Sequence, residues 1–392
     1  MRQISPLIYM PSRGCLPMKS KILKSILTSA LLPFTAACGM PVMYKNHNRQ
    51  SPELKFGADG KFKILHLTDI HEVDPEMDDD ENPDVPRDKS REAMNVIEKC
   101  LEKTQPDLVV FGGDNISGYW QEYTYNYVEK TIAKITEPIR KRNIPFAIVF
   151  GNHDSELEQF FREYQMMLYM RYDNFIGCLN AEEMHGCGNN NVIIKSSKSD
   201  KAAFNIWLID SNDYVRDENY KVLGYDRIHQ DQLDWYERTA EKLKKENGGE
   251  PLPSILFQHI PVSQEYDVIY EAGENEPCNL VEGDGKRYCI TKENFVSGHL
   301  RELPCPPKDR SREQFDLWKK QGDVIAAFFG HDHVNDFIFD IDGIKLCQTL
   351  ATGFHTYGDI HGGRLIVLDE NNPREFYTES IEIERITDTN FN

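Results

Sequence analysis

Short apolar runs recur along the chain, each ending in a cluster of Gly, Asp, Asn or His, and helical periodicity separates several of them. Lys61 to Thr68 (KFKILHLT), Asp107 to Phe111 (DLVVF) and Ile144 to Phe150 (IPFAIVF) have the length and content of buried strands. Between them, Asp88 to Gln105 sets Ala93, Val96, Ile97 and Leu101 on one helical stripe with Asp88 as a cap, and Tyr123 to Arg142 is a second helical stretch. This alternation predicts a parallel sheet with crossover helices, so three successive strands deliver their carboxyl ends to one edge. Ligands of α/β sheets bind at that edge.

The second half repeats the theme. A helix is expected over Ser155 to Tyr172, strands over Asn191 to Ser196 and Ala203 to Asp210, and another helix from roughly Asp231 to Glu246. Ser254 to Gln258 (SILFQ) then runs into His259-Ile260-Pro261, and Asp323 to Phe329 (DVIAAFF) into Gly330-His331-Asp332-His333. Asp336 to Asp340, Lys345 to Leu350 and Arg364 to Leu368 read as consecutive antiparallel strands. The fold class is therefore α/β, with one main domain over residues 61–370. Residues 38–60 read as a linker and 371–392 as an acidic tail. Residues 262–311 are irregular, hold three Cys and four Pro, and read as an insertion over the site that sets substrate choice.

The polar residues at the strand ends turn this outline into chemistry. Asp69 and His71 are two apart on extended chain and share a face, so both can grip one ion. Asp114 follows Gly112-Gly113, where glycine lets backbone approach closely. Asn152, His153 and Asp154 follow Gly151, and His259, His331 and His333 end the two later runs. A histidine at one strand end is ordinarily a surface or core residue. Carboxylates, an amide and imidazoles at five such ends suit divalent zinc, manganese or iron, and the lack of thiolates argues against a structural zinc site. His153 can supply a proton donor. Asp154 suits either an orienting partner for His153 or a helix cap. Asn115 suits either a substrate contact or a hold on the turn beside Asp114, and His355, in Gly353 to Gly358 (GFHTYG), a substrate contact.

Charge narrows the substrate. The 392 residues carry a formal net charge of −19, which disfavours polymeric nucleic acid, whose backbone is bound through Lys and Arg. A metal centre still attracts a small anion. No 18-residue apolar stretch suggests a membrane span in the mature chain. The first fifty residues lack Asp and Glu; Lys19, Lys21 and Lys24 precede the apolar Ser25 to Ala37, and Cys38 follows. That order predicts a signal peptide over 1–37, with Met18 as an alternative start that makes 1–17 an extension. Cys38 is a candidate lipid anchor, and the protein is expected to be exported: secreted, periplasmic or a membrane-anchored lipoprotein. Cys100 and Cys347 lie in apolar segments and read as buried thiols. Cys178 with Cys187, and a pair among Cys278, Cys289 and Cys305, are disulfide candidates if the chain is exported.

The strings DIH at 69–71, GGDN at 112–115, GNHD at 151–154, QHIP at 258–261 and GHDH at 330–333 resemble the calcineurin-like metallophosphoesterase superfamily, over about residues 60–370. FGGDNI, GNHD and FGHDHVNDF resemble more closely a subgroup of purple-acid-phosphatase-like proteins. The resemblance implies an α/β/β/α sandwich of two mixed sheets flanked by helices. It implies two metals, one held by Asp69, His71, Asp114 and His333, the other by Asp114, Asn152, His259 and His331, with Asp114 bridging. The implied activity is hydrolysis of a small phosphorylated substrate by a metal-bridging hydroxide, first a phosphomonoester, with a phosphodiester or nucleotide as the alternative. A non-catalytic surface binding protein on the same fold is the contrasting reading. The tyrosinate position of true purple acid phosphatases is Ser117 here, with Tyr119 two residues beyond, so a divalent pair without tyrosinate-to-iron colour is expected.

Overall fold

Alternation within single strands explains how two sheets come to lie face to face. In the computed structural model, which describes residues 51–73, 87–117, 125–157, 160–273 and 275–385, the strand Lys61–Leu67 (β2) points Phe62 and Ile64 to one side and Leu65 and Leu67 to the other. Phe62 and Ile64 enter a core shared with the second sheet. Leu65 and Leu67 enter another core shared with the helices Arg87–Thr104 and Tyr125–Lys141 through Val96, Ile97, Val128 and Ile132. A strand buried on both faces reads as a near-continuous apolar run, as these do.

One sheet has five strands. Leu108–Phe111 (β3) and Phe146–Ile148 (β4) extend β2 in parallel, while His361–Asp369 (β17) and Phe376–Ile383 (β18) add antiparallel on its other side. The other sheet has eight, in the order Leu54–Lys55 (β1), Asn190–Lys195 (β5), Ala202–Leu208 (β6), Ser254–Phe257 (β9), Val324–Phe329 (β14), Ile344–Gln348 (β16), Ile338–Ile341 (β15) and Phe295–Ser297 (β13). Strands β6, β9, β14 and β16 run parallel, so the carboxyl ends of β9 and β14 lie side by side. Phe204, Ile206, Ile255, Phe257 and Phe328 face β2 and β3 across the central layer, and Trp207, Leu256 and Phe329 face the helices Gln230–Glu246 and Glu313–Gln321. The result is the expected sandwich of two mixed sheets between helices.

Several local readings change. The helix expected over Ser155 to Tyr172 is a single 3-10 turn, His153–Glu156, and then a shorter helix, Arg162–Tyr169. The irregular stretch 262–311 holds a three-stranded sheet of Ile269–Glu271 (β10), Leu280–Val281 (β11) and Arg287–Ile290 (β12), and its strand β13 closes the edge of the main sheet. Part of the tail is the edge strand β18, whose residues 376–383 pair with β17, and β1 within the linker pairs with β5. The last three strands are not consecutive neighbours: β15 and β16 pair, but β17 crosses to the other sheet. The cysteines among the described residues are all free thiols, with Cys100 and Cys347 buried. No helix among the described residues is long and apolar enough to cross a membrane. The signal segment, Cys38, Tyr119 and the Pro-rich 74–86 lie outside the described residues.

Candidate metal centre

The end of β2 is held in an uncommon conformation that repeats. Asp69 and His71 both have positive φ, 51° and 46°, and so do Asp114 at 49° and His331 at 74°. Non-glycine residues there cost on the order of 1–3 kcal/mol each, and such strain persists where the surroundings over-determine it. Here the surroundings are the neighbouring strand end. The amides of Asp69, His71 and Glu72 donate to the carbonyls of Gly113, Asp114 and Asn115, so segments 69–72 and 113–115 run together beyond the regular sheet. This places the Asp69, His71 and Asp114 side chains around one point.

The second sheet brings its ligands to the same point. The carbonyl of His259 accepts from Gly330, which sets the ends of β9 and β14 side by side, and the His331 amide donates to Asp69 Oδ2 at 3.0 Å. Gly113 permits the approach: at φ +99°, a Cβ would lie 2.6 Å from His259 Nδ1 and 2.8 Å from the Gly151 amide. His259 Nε2 lies 3.0 Å from Asp114 Oδ2, and His333 Nε2 lies 3.3 Å from Asp69 Oδ1. His71 Nε2 is 3.8 Å from Asp69 Oδ1 and 3.7 Å from Asp114 Oδ2. Ligand atoms of Asp69, His71 and His333 fall within 4.8 Å of one another, as do those of Asp114, His259 and His331.

What these atoms lack is as informative as what surrounds them. Asp69 Oδ1, His71 Nε2, Asp114 Oδ2, Asn152 Oδ1, His259 Nε2 and His331 Nε2 are all buried without a hydrogen-bond partner outside this group. An unsatisfied buried polar atom costs about 1–3 kcal/mol, so six around one point require an occupant. The opposite atoms of Asp69, Asp114, Asn152 and His259 are occupied, while both nitrogens of His71 are without a partner. Thr68 Oγ1 donates to Asp69 Oδ2, the His153 amide donates to Asp114 Oδ1, and His259 Nδ1 meets the Gly112 carbonyl at 2.9 Å. Thr356 Oγ1 meets His333 Nδ1 at 2.6 Å. These engaged side chains are thus turned so that their unused atoms face the centre, as metal ligands are oriented by their outer partners. The oxygen and imidazole donor set fits divalent ions.

Electrostatics follow from burial and mutual charge. Burial alone would raise the Asp69 carboxyl, but His259 and His333 hold it below the usual range; Asp114 is held low by His259 and His153 against the same burial. Burial pushes His71 and His331 down to about 3, leaving neutral rings with lone pairs for a cation. For His153 burial is outweighed by Asp114 and Glu156, which lift it to about 9.

The remaining sequence candidates divide. His153 sits beside the centre, its ring 5.0 Å from that of His71, and it groups with His71 and Asp114. Asp154 does not orient it. Its carboxylate accepts the amides of Gly151, Asn115 and Ile116, and burial with the nearby Asp114 raises it to about 7. Asp154 therefore pins the turn, because four backbone and side-chain donors converge on it before any imidazole can. Asn115 is fully buried, bonding Val149 O and Asp154, and belongs to the same pin rather than to a substrate surface. His355 groups with none of the ligand sets; burial and then Lys89 and Lys134 lower it to about 4. The partner of His153 is Glu156, with Oε2 2.7 Å from Nδ1. Its spacing of three residues matches one 3-10 turn and was the available signal. Tyr225, edge-on to His331 at 4.3 Å, and Tyr357, stacked on His333 at 4.2 Å, come from segments with no motif.

Residues 62–335 match the family model described as calcineurin-like phosphoesterase. The Arabidopsis thaliana protein named "Probable inactive purple acid phosphatase 14" is 27% identical over 332 residues, 80% of this chain and 76% of that protein. "Probable inactive purple acid phosphatase 29" from the same plant is 27% identical over 371 residues, covering 89% and 87%. A crystal structure of a dimetal phosphatase from Danio rerio aligns with a TM-score of 0.46 at 13% identity, over 81% of this chain and 98% of that one. With every signature strand end inside the matched span and its donors gathered at one point, the chain belongs to the calcineurin-like phosphoesterase family.

Proposed function

We propose that the chain hydrolyses phosphomonoesters with two divalent metal ions, manganese, zinc or iron. The carrying observation is the set of six buried donor atoms gathered around one point, with Asp69, Asp114, Asn152 and His259 each already engaged through their other atom. Asp69, His71, Asp114 and His333 would hold one ion, and Asp114, Asn152, His259 and His331 the other. Such ions supply Lewis acidity to a phosphoryl oxygen and acidify the attacking water.

The chain's own residues do the rest. Thr68 and the His331 amide occupy Asp69 Oδ2, which commits Oδ1 to the centre. The bond from His259 Nδ1 to Gly112 O commits its Nε2 in the same way. His153, beside Asp114 at the centre, gives its proton to the departing ester oxygen as the phosphorus–oxygen bond breaks. The buried setting of the ligands strengthens each of these interactions relative to water.

One observation favours a second reading, a metal-binding domain without turnover: two relatives carry "inactive" in their names. Against it, every ligand position and His153 are present in this sequence. The test is p-nitrophenyl phosphate and bis-p-nitrophenyl phosphate turnover with added manganese, alongside metal analysis. Turnover of the monoester with two metals per chain supports the first reading. Preference for the diester moves the substrate class, and two bound metals with neither ester turned over supports the second reading.

A further inference from the structure

The inserted hairpin Tyr214–Arg216 (β7) and Val222–Tyr225 (β8) touches the centre at both ends. At its start, the Tyr214 hydroxyl accepts from Asn152 Nδ2 at 2.7 Å and donates to Glu156 Oε1 at 2.9 Å. Glu156 Oε2 in turn holds His153 Nδ1 at 2.7 Å. At its end, Tyr225 pairs with Tyr214 in the hairpin register, stacks on it at 5.7 Å and packs edge-on against His331. One hydroxyl therefore settles two orientations. Binding Asn152 through its nitrogen leaves Oδ1, buried and unpartnered, as the atom offered to the centre. Binding Glu156 fixes the carboxylate that assigns the Nδ1 proton of His153, and this leaves Nε2 as the reacting nitrogen.

We infer that Tyr214 and Glu156 are positioning residues: the hairpin hydroxyl orients the Asn152 amide as a metal ligand and, through Glu156, aims the His153 ring at the leaving group. The inference rests on the reading in which His153 protonates that group. In the step so aimed, a water oxygen bonds to phosphorus as the ester phosphorus–oxygen bond breaks with its electron pair on the leaving oxygen, which takes the proton from His153 Nε2; the attacking water gives up a proton to solvent, and solvent returns one to the ring. Neither Tyr214 nor Glu156 belongs to the five strand-end motifs. The hairpin also makes the site depend on a segment that enters no other sheet.

The two residues separate experimentally, because Tyr214 acts on both Asn152 and His153 while Glu156 acts on His153 alone. The full chain is titrated calorimetrically with manganese, and phenyl phosphate is compared with p-nitrophenyl phosphate at saturating metal. Phenolate is the poorer leaving group and needs the proton more. Tyr214→Phe, which keeps the stacked ring, is expected to weaken manganese binding roughly tenfold. It should also lower kcat on phenyl phosphate about tenfold more than on p-nitrophenyl phosphate, a loss in the range of acid catalysis. Glu156→Gln is expected to show the same leaving-group bias, with KM and manganese affinity unchanged. Equal loss on both esters, or no change in manganese affinity for Tyr214→Phe, overturns the inference. His153→Ala serves as the control. If it alters neither kcat nor the bias, the acid reading itself fails and takes the inference with it. If it shows the bias and the two variants do not, only the positioning role fails.

Discussion

The two sheets contribute unlike halves of one centre. The five-stranded sheet ends in Asp69, His71, Asp114 and Asn152, and so supplies both carboxylates and the amide, whereas the eight-stranded sheet ends in His259, His331 and His333 and supplies only imidazoles. Both proposed ligand sets draw on both sheets. The first half carries the negative charge that makes cation binding favourable. The second completes the donor set with imidazoles: burial keeps His331 unprotonated, whereas at His259 burial is outweighed by Asp114 and Asp69, which lift it to about 10. Neither half is a site alone, so the centre reports on how the sandwich is registered.

The largest expected effect comes from removing charge on the first half. Asp114→Asn should lose bound metal and lower kcat/KM by about 10³-fold or more, the scale of a principal electrostatic stabiliser, and excess manganese should not restore it. His259→Ala removes one imidazole from the second half. A loss of about 10²-fold is expected, in the range for weakened metal sites, with part of the activity returning as manganese is raised. Similar losses for both variants, or rescue of Asp114→Asn by metal, would break the contrast between the carboxylate and imidazole halves.

The contact between halves is tested at Gly113, whose added Cβ would crowd His259 Nδ1 and the Gly151 amide in a left-handed backbone. Gly113→Ala should destabilise by about 3 kcal/mol in urea denaturation, from overpacking together with backbone strain. A change below about 0.5 kcal/mol, within the usual range for surface substitutions, would mean the halves are not held against each other there.

The smallest effect lies behind the imidazole half. Glu265 is fully buried, and burial lifts its carboxyl from 4.5 to about 8 against the bond from Gln348. The folded state therefore retains a proton that the unfolded chain releases, so stability falls as pH rises from about 4.5 toward 8 and levels off above it. Glu265→Gln should flatten that slope, leaving stability near pH 4.5 little changed and gaining on the order of 1–3 kcal/mol by pH 8. Parallel pH curves for variant and wild type in thermal denaturation would show that the charge is not buried as described.

Much of the centre was legible from the chain because its parts are local. An apolar run, a glycine and a polar side chain sit within a few residues, and Asp69, His71, Asp114, Asn152, His259, His331 and His333 were each found that way. Asp154 and Asn115 stayed open between chemistry and holding the turn for the same reason: adjacency to His153 and Asp114 suggests chemistry, while two of the backbone amides that occupy Asp154 come from a segment almost forty residues away. Thr356, Tyr214 and Tyr225 carry no local mark, since each acts only through a contact made by folding. The tail strand β18 was hidden because an exposed edge strand alternates charged and apolar residues and reads as polar chain.

By itself the sequence determined which residues end buried strands and which donor atoms those ends present, because strand burial and glycine turns are written in neighbouring positions. Only the tertiary structure decided that β9 and β14 lie side by side, that β17 leaves β16 for the opposite sheet, and that Glu156 rather than Asp154 takes the His153 ring. Those outcomes depend on strand pairings and hydrogen bonds between segments far apart along the chain, for which the packing of two sheets across a shared core sets the geometry.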